Sequence, residues 1–164
     1  MVNELNEMIH SILESNQDLL NIAVKQKSKF EGWLKFELAH ALKQKYCDTR
    51  VEYPIADTKS HVDIYTNESF IELKTPNTNY QKEICEDCTR PITMNVTSII
   101  GDIKKLNIPA LLGKKRYIAF VMFPLDAHGA YKRHTNKIVP YLKKYKEVIA
   151  HIKGVPVLVF TGQI

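Results

Sequence analysis

Residues 61–76, HVDIYTNESFIELKTP, decide how this chain is read, because two strand-like runs there carry charge at positions where a buried strand carries none. Val62–Thr66 and Phe70–Thr75 are short, rich in β-branched and aromatic residues, and joined by a turn at Asn67 and Glu68 or over Asn67 to Ser69. A β-hairpin is predicted. A two-residue turn sets Thr66 opposite Ser69, Tyr65 opposite Phe70, Ile64 opposite Ile71 and Asp63 opposite Glu72. A three-residue loop would instead set Ile64 against Glu72 and mix apolar with charged positions, so the pattern favours the first register. Period two then assigns His61, Asp63, Phe70, Glu72 and Lys74 to one face, and Val62, Ile64, Ile71 and Leu73 to the other.

Side chains directly opposite in such a pair stand roughly 4.5–5.5 Å apart at Cβ, and like charges at that distance repel. Something should offset the repulsion between Asp63 and Glu72. A hard divalent cation does so: Mg²⁺, with Mn²⁺ as a substitute, prefers one or two carboxylates and keeps waters that can be activated. Lys74, two residues along the same face, would stand beside the pair. There it would orient and help deprotonate an attacking water, or stabilise charge growing on phosphorus. Glu-x-Lys alone is common on exposed hairpins; the opposing Asp63 and the apolar reverse face favour a site.

Around this hairpin the chain reads as an alternation of helices and strands. Leu5, Met8, Ile9, Ile12 and Leu13 recur at helical spacing, and a second helical pattern runs from about Ser28 to Tyr46, with Ser28 as cap and Glu31 three residues later. Val51, Tyr53 and Ile55 alternate as in a strand, which Pro54 places at the sheet's margin. A polar stretch from Pro76 to about Thr93 is too long for a tight turn. Beyond it, Val96 to Leu106 describes a helix, Tyr117 to Phe123 a buried strand, Thr135 to His151 another helix, and Val155 to Phe160 a last strand. A strand, a crossover helix and a further strand imply parallel pairing within a mixed sheet. The expected class is α/β.

With 164 residues and 45% hydrophobic composition, the chain suits one domain with a real core. The formal net charge is +5, unevenly spread: from Ile103 onward 12 Lys and Arg stand against 2 acids. A basic half attracts polyanions, nucleic acid above all. No basic flank precedes an apolar run at the amino terminus, and the longest apolar run is broken by Pro124. A cytoplasmic protein with no signal peptide, transmembrane segment or other membrane association is expected. Three cysteines are an odd count, which fits a reducing compartment.

Asp63 followed by Glu72-Leu73-Lys74, on successive strands after a helix bearing acids, resembles the PD-(D/E)XK, or restriction-endonuclease-like, nuclease superfamily. The order helix, three strands, helix, strand over about residues 28–123 is similar to that family's αβββαβ core, a mixed central sheet flanked by helices, with an N-terminal helix before it and a basic helix-strand extension after it. Val62 stands where the family pattern has proline. The resemblance implies a metal-dependent DNA endonuclease that hydrolyses phosphodiester bonds in restriction, repair or mobile-element contexts, with double-stranded DNA as partner, and it allows a homodimer. In that reading Asp63 and Glu72 bind Mg²⁺ and Lys74 serves the nucleophile. A non-cleaving nucleic-acid-binding or assembly module on the same fold is the alternative.

The resemblance also implies an acid from the helix before the hairpin, and FEGWLKFELAHAL, residues 30–42, offers Glu31 and Glu37. With Phe30 at 0° and about 100° per residue, Glu37 falls within the face holding Trp33, Leu34 and Ala41, whereas Glu31 falls on its flank. A carboxylate on an apolar face is costly unless paired, protonated or metal-linked. Glu37 is therefore favoured as third metal ligand, with Glu31, open to a capping role, kept as a candidate catalytic acid. Thr97, Ser98, Asp102, Lys104 and Lys105 of the following helix would flank the substrate groove.

Cys85-x-x-Cys88 raises zinc, with Cys47 and His40 or His61 as further ligands, but a structural zinc site uses two close ligand pairs and only one is visible. His128 and His134 fit a surface or phosphate-contacting role. No phosphate-cradling glycine loop and no serine nucleophile elbow is present.

Overall fold

The computed structural model describes residues 1–56, 58–81 and 92–164. Leu5, Ile9 and Leu13, at helical spacing, are all buried, and Val2–Ser15 forms α1. A second helix, not expected from the sequence, α2 (Gln17–Lys25), follows. Its apolar residues, Leu19, Leu20, Ile22, Ala23 and Val24, share one half of it opposite Gln17, Asp18, Asn21 and Lys25, but the pattern lasts only nine residues and buries only Leu20 and Val24. The next helix, α3, spans Glu31–Lys43. Its cap position is Phe30, without a side-chain cap, and Ser28 instead donates its backbone N–H to Ala23 O at 2.8 Å. The capping box expected at Ser28 and Glu31 does not form, which leaves the Glu31 carboxylate available to the sheet.

Three strands follow, β1 (Thr49–Pro54), β2 (His61–Thr66) and β3 (Ser69–Lys74), then α4 (Ile92–Leu106) and β4 (Lys115–Met122). A one-turn helix, α5 (Lys132–Thr135), precedes β5 (Lys144–Ile152) and β6 (Val155–Gln163). The six strands form one mixed sheet in the order β1-β2-β3-β4-β6-β5. β1 lies at the margin, as Pro54 requires. β3 and β4, joined through α4, pair in parallel, and the other neighbours pair antiparallel.

Helix was expected across Thr135–His151; the structure replaces its latter part, from Lys144 on, with strand. Residues 144–152 alternate in burial towards their end, and each pairs with β6, from Lys144 opposite Gln163 to Ile152 opposite Val155. The connection is a two-residue turn in which Lys153 (φ 47°) and Gly154 (φ 87°) both adopt the left-handed conformation that such hairpins demand. Nine paired residues satisfy backbone groups that a helix would have satisfied internally, and they also bury Ala150 and Ile152. The pairing partner, remote in local pattern, decides the element.

Each face of the sheet carries its own core. α1, α2 and α3 pack over Ile64, Ile71, Leu73, Tyr117, Ala119, Val121, Val157 and Val159. α4 and the segment around Tyr131 and Ile138 pack over Val62, Phe70, Ile118, Phe120, Leu158 and Phe160. Among the described residues no helix is long and apolar enough to cross a membrane.

The hairpin register is the one expected, with Ile64 opposite Ile71 and Tyr65 opposite Phe70. Full burial of an isoleucine stabilises by about 1.5–3 kcal/mol, whereas a cross-strand pair of charges is worth roughly 0.2–1 kcal/mol. The apolar pair therefore sets the register despite the acids beside it. The expected face assignment fails at two residues: Val62 packs in the second core with Phe70, while Ile64 packs in the first, and Asp63 meets Lys35 of α3 whereas Glu72 meets Lys105 of α4. The same change occurs across the ladder, where Val51 packs against the first core and Tyr53 against the second. Between those two, Glu52 has a φ of 50°. Both strands shift their pleat by one step at Glu52 and Asp63.

Candidate functional site

Where the pleat shifts, the β2–β3 ladder ends. Beyond Ile64 and Ile71 no further partners are recorded, and the Asp63 carboxylate takes the place of a ladder carbonyl: Leu73 donates its backbone N–H to Asp63 Oδ2 at 2.9 Å. Asp63 and Glu72 are thus not paired through their backbones as expected, although they remain close enough to interact electrostatically. The other Asp63 oxygen accepts from Lys35 Nζ at 3.2 Å. Lys35 belongs to α3, is 9% exposed, and also contacts Glu52 Oε1. Burial alone would lower the Lys35 pKa; Glu52 and Asp63 outweigh that and raise it.

Glu72 faces the other layer. It is 1% exposed, and Lys105 Nζ of α4 forms an ion pair with its Oε1 at 2.5 Å. The approach is off the direction of a good hydrogen bond, so this buried oxygen has charge nearby without a well-aimed donor. Burial first, and the Asp63 charge second, push the Glu72 pKa up to about 8 against the opposing pull of Lys105. Lys105 also donates to His61 O at 2.8 Å, tying α4 to the start of β2.

Lys74 stands at the end of β3 where the helix layers meet. Its Nζ lies 3.4 Å from Glu31 Oε1 of α3 and 3.5 Å from Asp102 Oδ2 of α4. Burial acts to lower its pKa, but Glu31, Asp102, Asp63 and Glu72 together raise it. Asp102 is shifted upward by burial, opposed by Lys74 and Lys105. Glu31 Oε2 also accepts from the Thr75 N–H at 3.3 Å, so this one carboxylate brackets the end of the strand. A cleft of about 50 Å³ opens here between Glu31, Lys74, Thr75, Asn95 and Ser98.

Of the residues expected at the site, Asp63, Glu72, Lys74 and Glu31 fall into three ion-paired groups, Asp63 with Lys35 and Glu52, Glu72 with Lys105, and Glu31 with Lys74 and Asp102, which influence one another through their charges. Glu37 joins none of them. It is half-buried and makes no hydrogen bond or ion pair among the described residues. Its preference over Glu31 rested on centring the apolar face on Phe30, whereas the buried residues of α3 are Leu34, Lys35, Leu38 and Leu42. At about 100° per residue those centre near 95°, almost on Glu31 and far from Glu37. The third metal ligand expected at Glu37 is corrected accordingly.

Four members of these ion pairs were not expected as catalytic or metal-binding residues: Lys35 and Glu52, and Asp102 and Lys105, which were expected only to flank the substrate groove. The i, i+3 spacing of Asp102 and Lys105 puts both on one side of α4, a signal present in the sequence. For Lys35 a charged residue within a buried stripe was the available sign. Cys85 and Cys88 lie outside the described residues, and Cys47 is exposed.

The network can be weighed as a cation site. Five carboxylates, Glu31, Glu52, Asp63, Glu72 and Asp102, meet three ammonium groups, Lys35, Lys74 and Lys105, which leaves the fully ionised set two positive charges short. All the acidic donors are hard oxygens, the type that Mg²⁺ and Mn²⁺ select. Among the described residues no three acids, histidines or cysteines already converge as a ligand set, because the lysines hold the carboxylates. The chemistry of the donors suits a hard divalent cation, which would compete with Lys105 and Lys35 for Glu72 and Asp63.

Compared with known protein families, with curated proteins and with solved structures, the chain matches none.

Proposed function

We propose that the protein is a metal-dependent DNA endonuclease of the restriction-endonuclease-like type, with Asp63, Glu72 and Glu31 as the acids that would hold Mg²⁺ or Mn²⁺. The observation that carries this reading is the buried, poorly satisfied Glu72 beside Asp63 and Lys74, among acids that outnumber the lysines by two when Glu72 is ionised and by one while it keeps its proton. The element order α3-β1-β2-β3-α4-β4, with β3 and β4 parallel, supports the fold comparison.

When bound, the ion supplies Lewis acidity at the phosphoryl group. The chain's own residues do the rest. Asp63, fixed by Lys35 and by the Leu73 N–H, and Glu72, fixed by burial, orient without rearranging their strands. Lys74 stays protonated at neutral pH, since its acidic neighbours raise its pKa. It therefore acts as a hydrogen-bond donor that positions the attacking water and stabilises charge on phosphorus, not as the base that removes the proton. Water attacks phosphorus and releases one proton to solvent, the opposite P–O bond breaks, and the departing oxygen takes a proton from solvent, with no covalent intermediate on the protein. The basic half of the chain supplies attraction for the strand.

Incubation of the protein with supercoiled plasmid and Mg²⁺ tests this directly. Nicking or linearisation is expected, with loss of about 10²-fold or more in a Lys74→Ala protein prepared in parallel. Cutting that persists unchanged in the variant overturns the assignment. The lysine hold on Asp63 and Glu72 favours one rival, a module that binds nucleic acid without cutting it. Absence of any Mg²⁺ or Mn²⁺ binding, with salt-sensitive DNA binding retained, would favour that rival.

A further inference from the structure

A cavity of about 680 Å³ opens at the end of the sheet away from Lys74. In the parallel ladder Ser69 pairs with Lys115 and Lys74 with Phe120, so the cavity and the acid network lie at opposite ends of β3, roughly 16 Å apart at about 3.3 Å per residue. Lys114, Lys115, Arg116 and Lys143 line it. Against these four cations stands Glu68 among the lining residues. Lys115 lies 3.9 Å from Glu68, a distance that neutralises little in exposed surroundings.

Arg116 provides a second, independent sign. It is 9% exposed, and its Nη1 donates to Leu106 O at 3.2 Å and Asn107 Oδ1 at 2.7 Å, closing the end of α4. Its Nε is buried and has no hydrogen-bond partner among the described residues, so the fixed guanidinium keeps its full positive charge beside the cavity that Arg116 lines. Lys114 is held at the rim, its Nζ 5.0 Å from the Tyr65 ring centre and donating to Asn67 O. Leu112, 56% exposed, offers an apolar surface within the same lining.

We propose that this cavity binds a nucleotide-sized phosphate ligand, the phosphate taken by the lysines at 114, 115 and 143 in the field of the fixed Arg116 guanidinium. Phosphate matches the convergence of an arginine with several lysines. The size exceeds that of a bare phosphate and falls in the range of pockets that hold small organic ligands. A free mononucleotide and a nucleotide unit within a DNA strand present the same chemistry. The site does not depend on the acid network, and its occupancy can be read in a protein that cleaves nothing.

The test is amide chemical-shift mapping on the full chain with three probes: inorganic phosphate, adenosine monophosphate and a 12-base-pair duplex. Saturable shifts at Lys114–Arg116 and Gln163 are expected with adenosine monophosphate. Displacement of the duplex from those amides by the mononucleotide identifies a strand as a source; shifts with the mononucleotide and none with the duplex identify the free ligand. A Lys114→Glu/Lys143→Glu protein should bind at least about tenfold more weakly, a change of about 1.4 kcal/mol. Lys25→Glu, an exposed charge reversal on α2 outside the cavity and outside the proposed substrate groove, should stay within about twofold. No shift at these amides with any probe overturns the proposal, as does equal weakening by the Lys25 variant, which would reduce the effect to general attraction.

Discussion

Lys35 Nζ lies 3.2 Å from Asp63 Oδ1 and also reaches Glu52, the residue at which the neighbouring strand shifts its pleat. A single lysine from α3 thus ties together the two residues where both strands change phase. With the Leu73 N–H on its other oxygen, Asp63 has donors on both sides before any ligand arrives. Such a carboxylate is preorganised, so little reorientation remains when a cation binds.

Lys35 should therefore matter to stability as much as to activity. Lys35→Met keeps the aliphatic stem but leaves Asp63 mostly buried and without its counter-charge, a loss of about 1–3 kcal/mol. For a chain of this length that is a fall of about 3–10 °C in melting temperature. Calorimetry of the metal-free protein reads it directly, and an unchanged transition would show that the ion pair contributes nothing.

Glu72 predicts the shape of stability against pH. Its pKa is about 8 in the fold and ordinarily 4.5, so the folded protein keeps a proton that the unfolded chain releases. Stability linked to this group is complete below about 4.5 and is lost as pH rises through 8. The metal-free protein should melt at a lower temperature at pH 9 than at pH 6. Glu72→Gln, neutral throughout, should flatten that slope; a variant with the same slope as the parent would remove Glu72 as its cause.

Local pattern carried the hairpin, its register and the parallel β3–β4 pair because each rests on residues close in sequence or on one strong apolar pair. Ile64 against Ile71 is such a pair. The pattern failed where a distant partner decides. Residues 144–152 become strand because β6 lies alongside, and Val62 changes face because Glu52, on another strand, takes a positive φ. Lys35 and Lys105 were missed for the same reason: a lysine reads as surface until the acid it meets is known. Glu37 was favoured over Glu31 because an apolar face was centred on Phe30, an aromatic that in fact caps the helix and packs against Phe123 with ring centres 5.2 Å apart.

The choice between the two helix acids gives a paired prediction. Glu31 touches Lys74 and the Thr75 N–H, whereas Glu37 makes no polar contact among the described residues. Glu31→Gln should lower Mg²⁺-dependent cleavage by about 10–100-fold, the range seen when groups that support a metal site are removed. Glu37→Gln should leave the rate within about twofold. Steady-state cleavage of a labelled duplex by both variants checks it, and the reverse order would restore Glu37 as the site acid.

Metal binding itself should release protons. Between pH 4.5 and about 8 the metal-free fold holds Glu72 largely protonated, because burial and Asp63 disfavour its charge. A carboxylate must be ionised to serve as a ligand, so taking up Mg²⁺ near pH 7 should expel close to one proton from Glu72. Calorimetric titration in two buffers of different ionisation enthalpy measures that number. The apparent affinity should rise by up to about tenfold per pH unit below 8 and level off above it. Glu72→Gln should bind more weakly and lose the proton release; binding that is tight and independent of pH from 6 to 8 would place the cation away from Glu72.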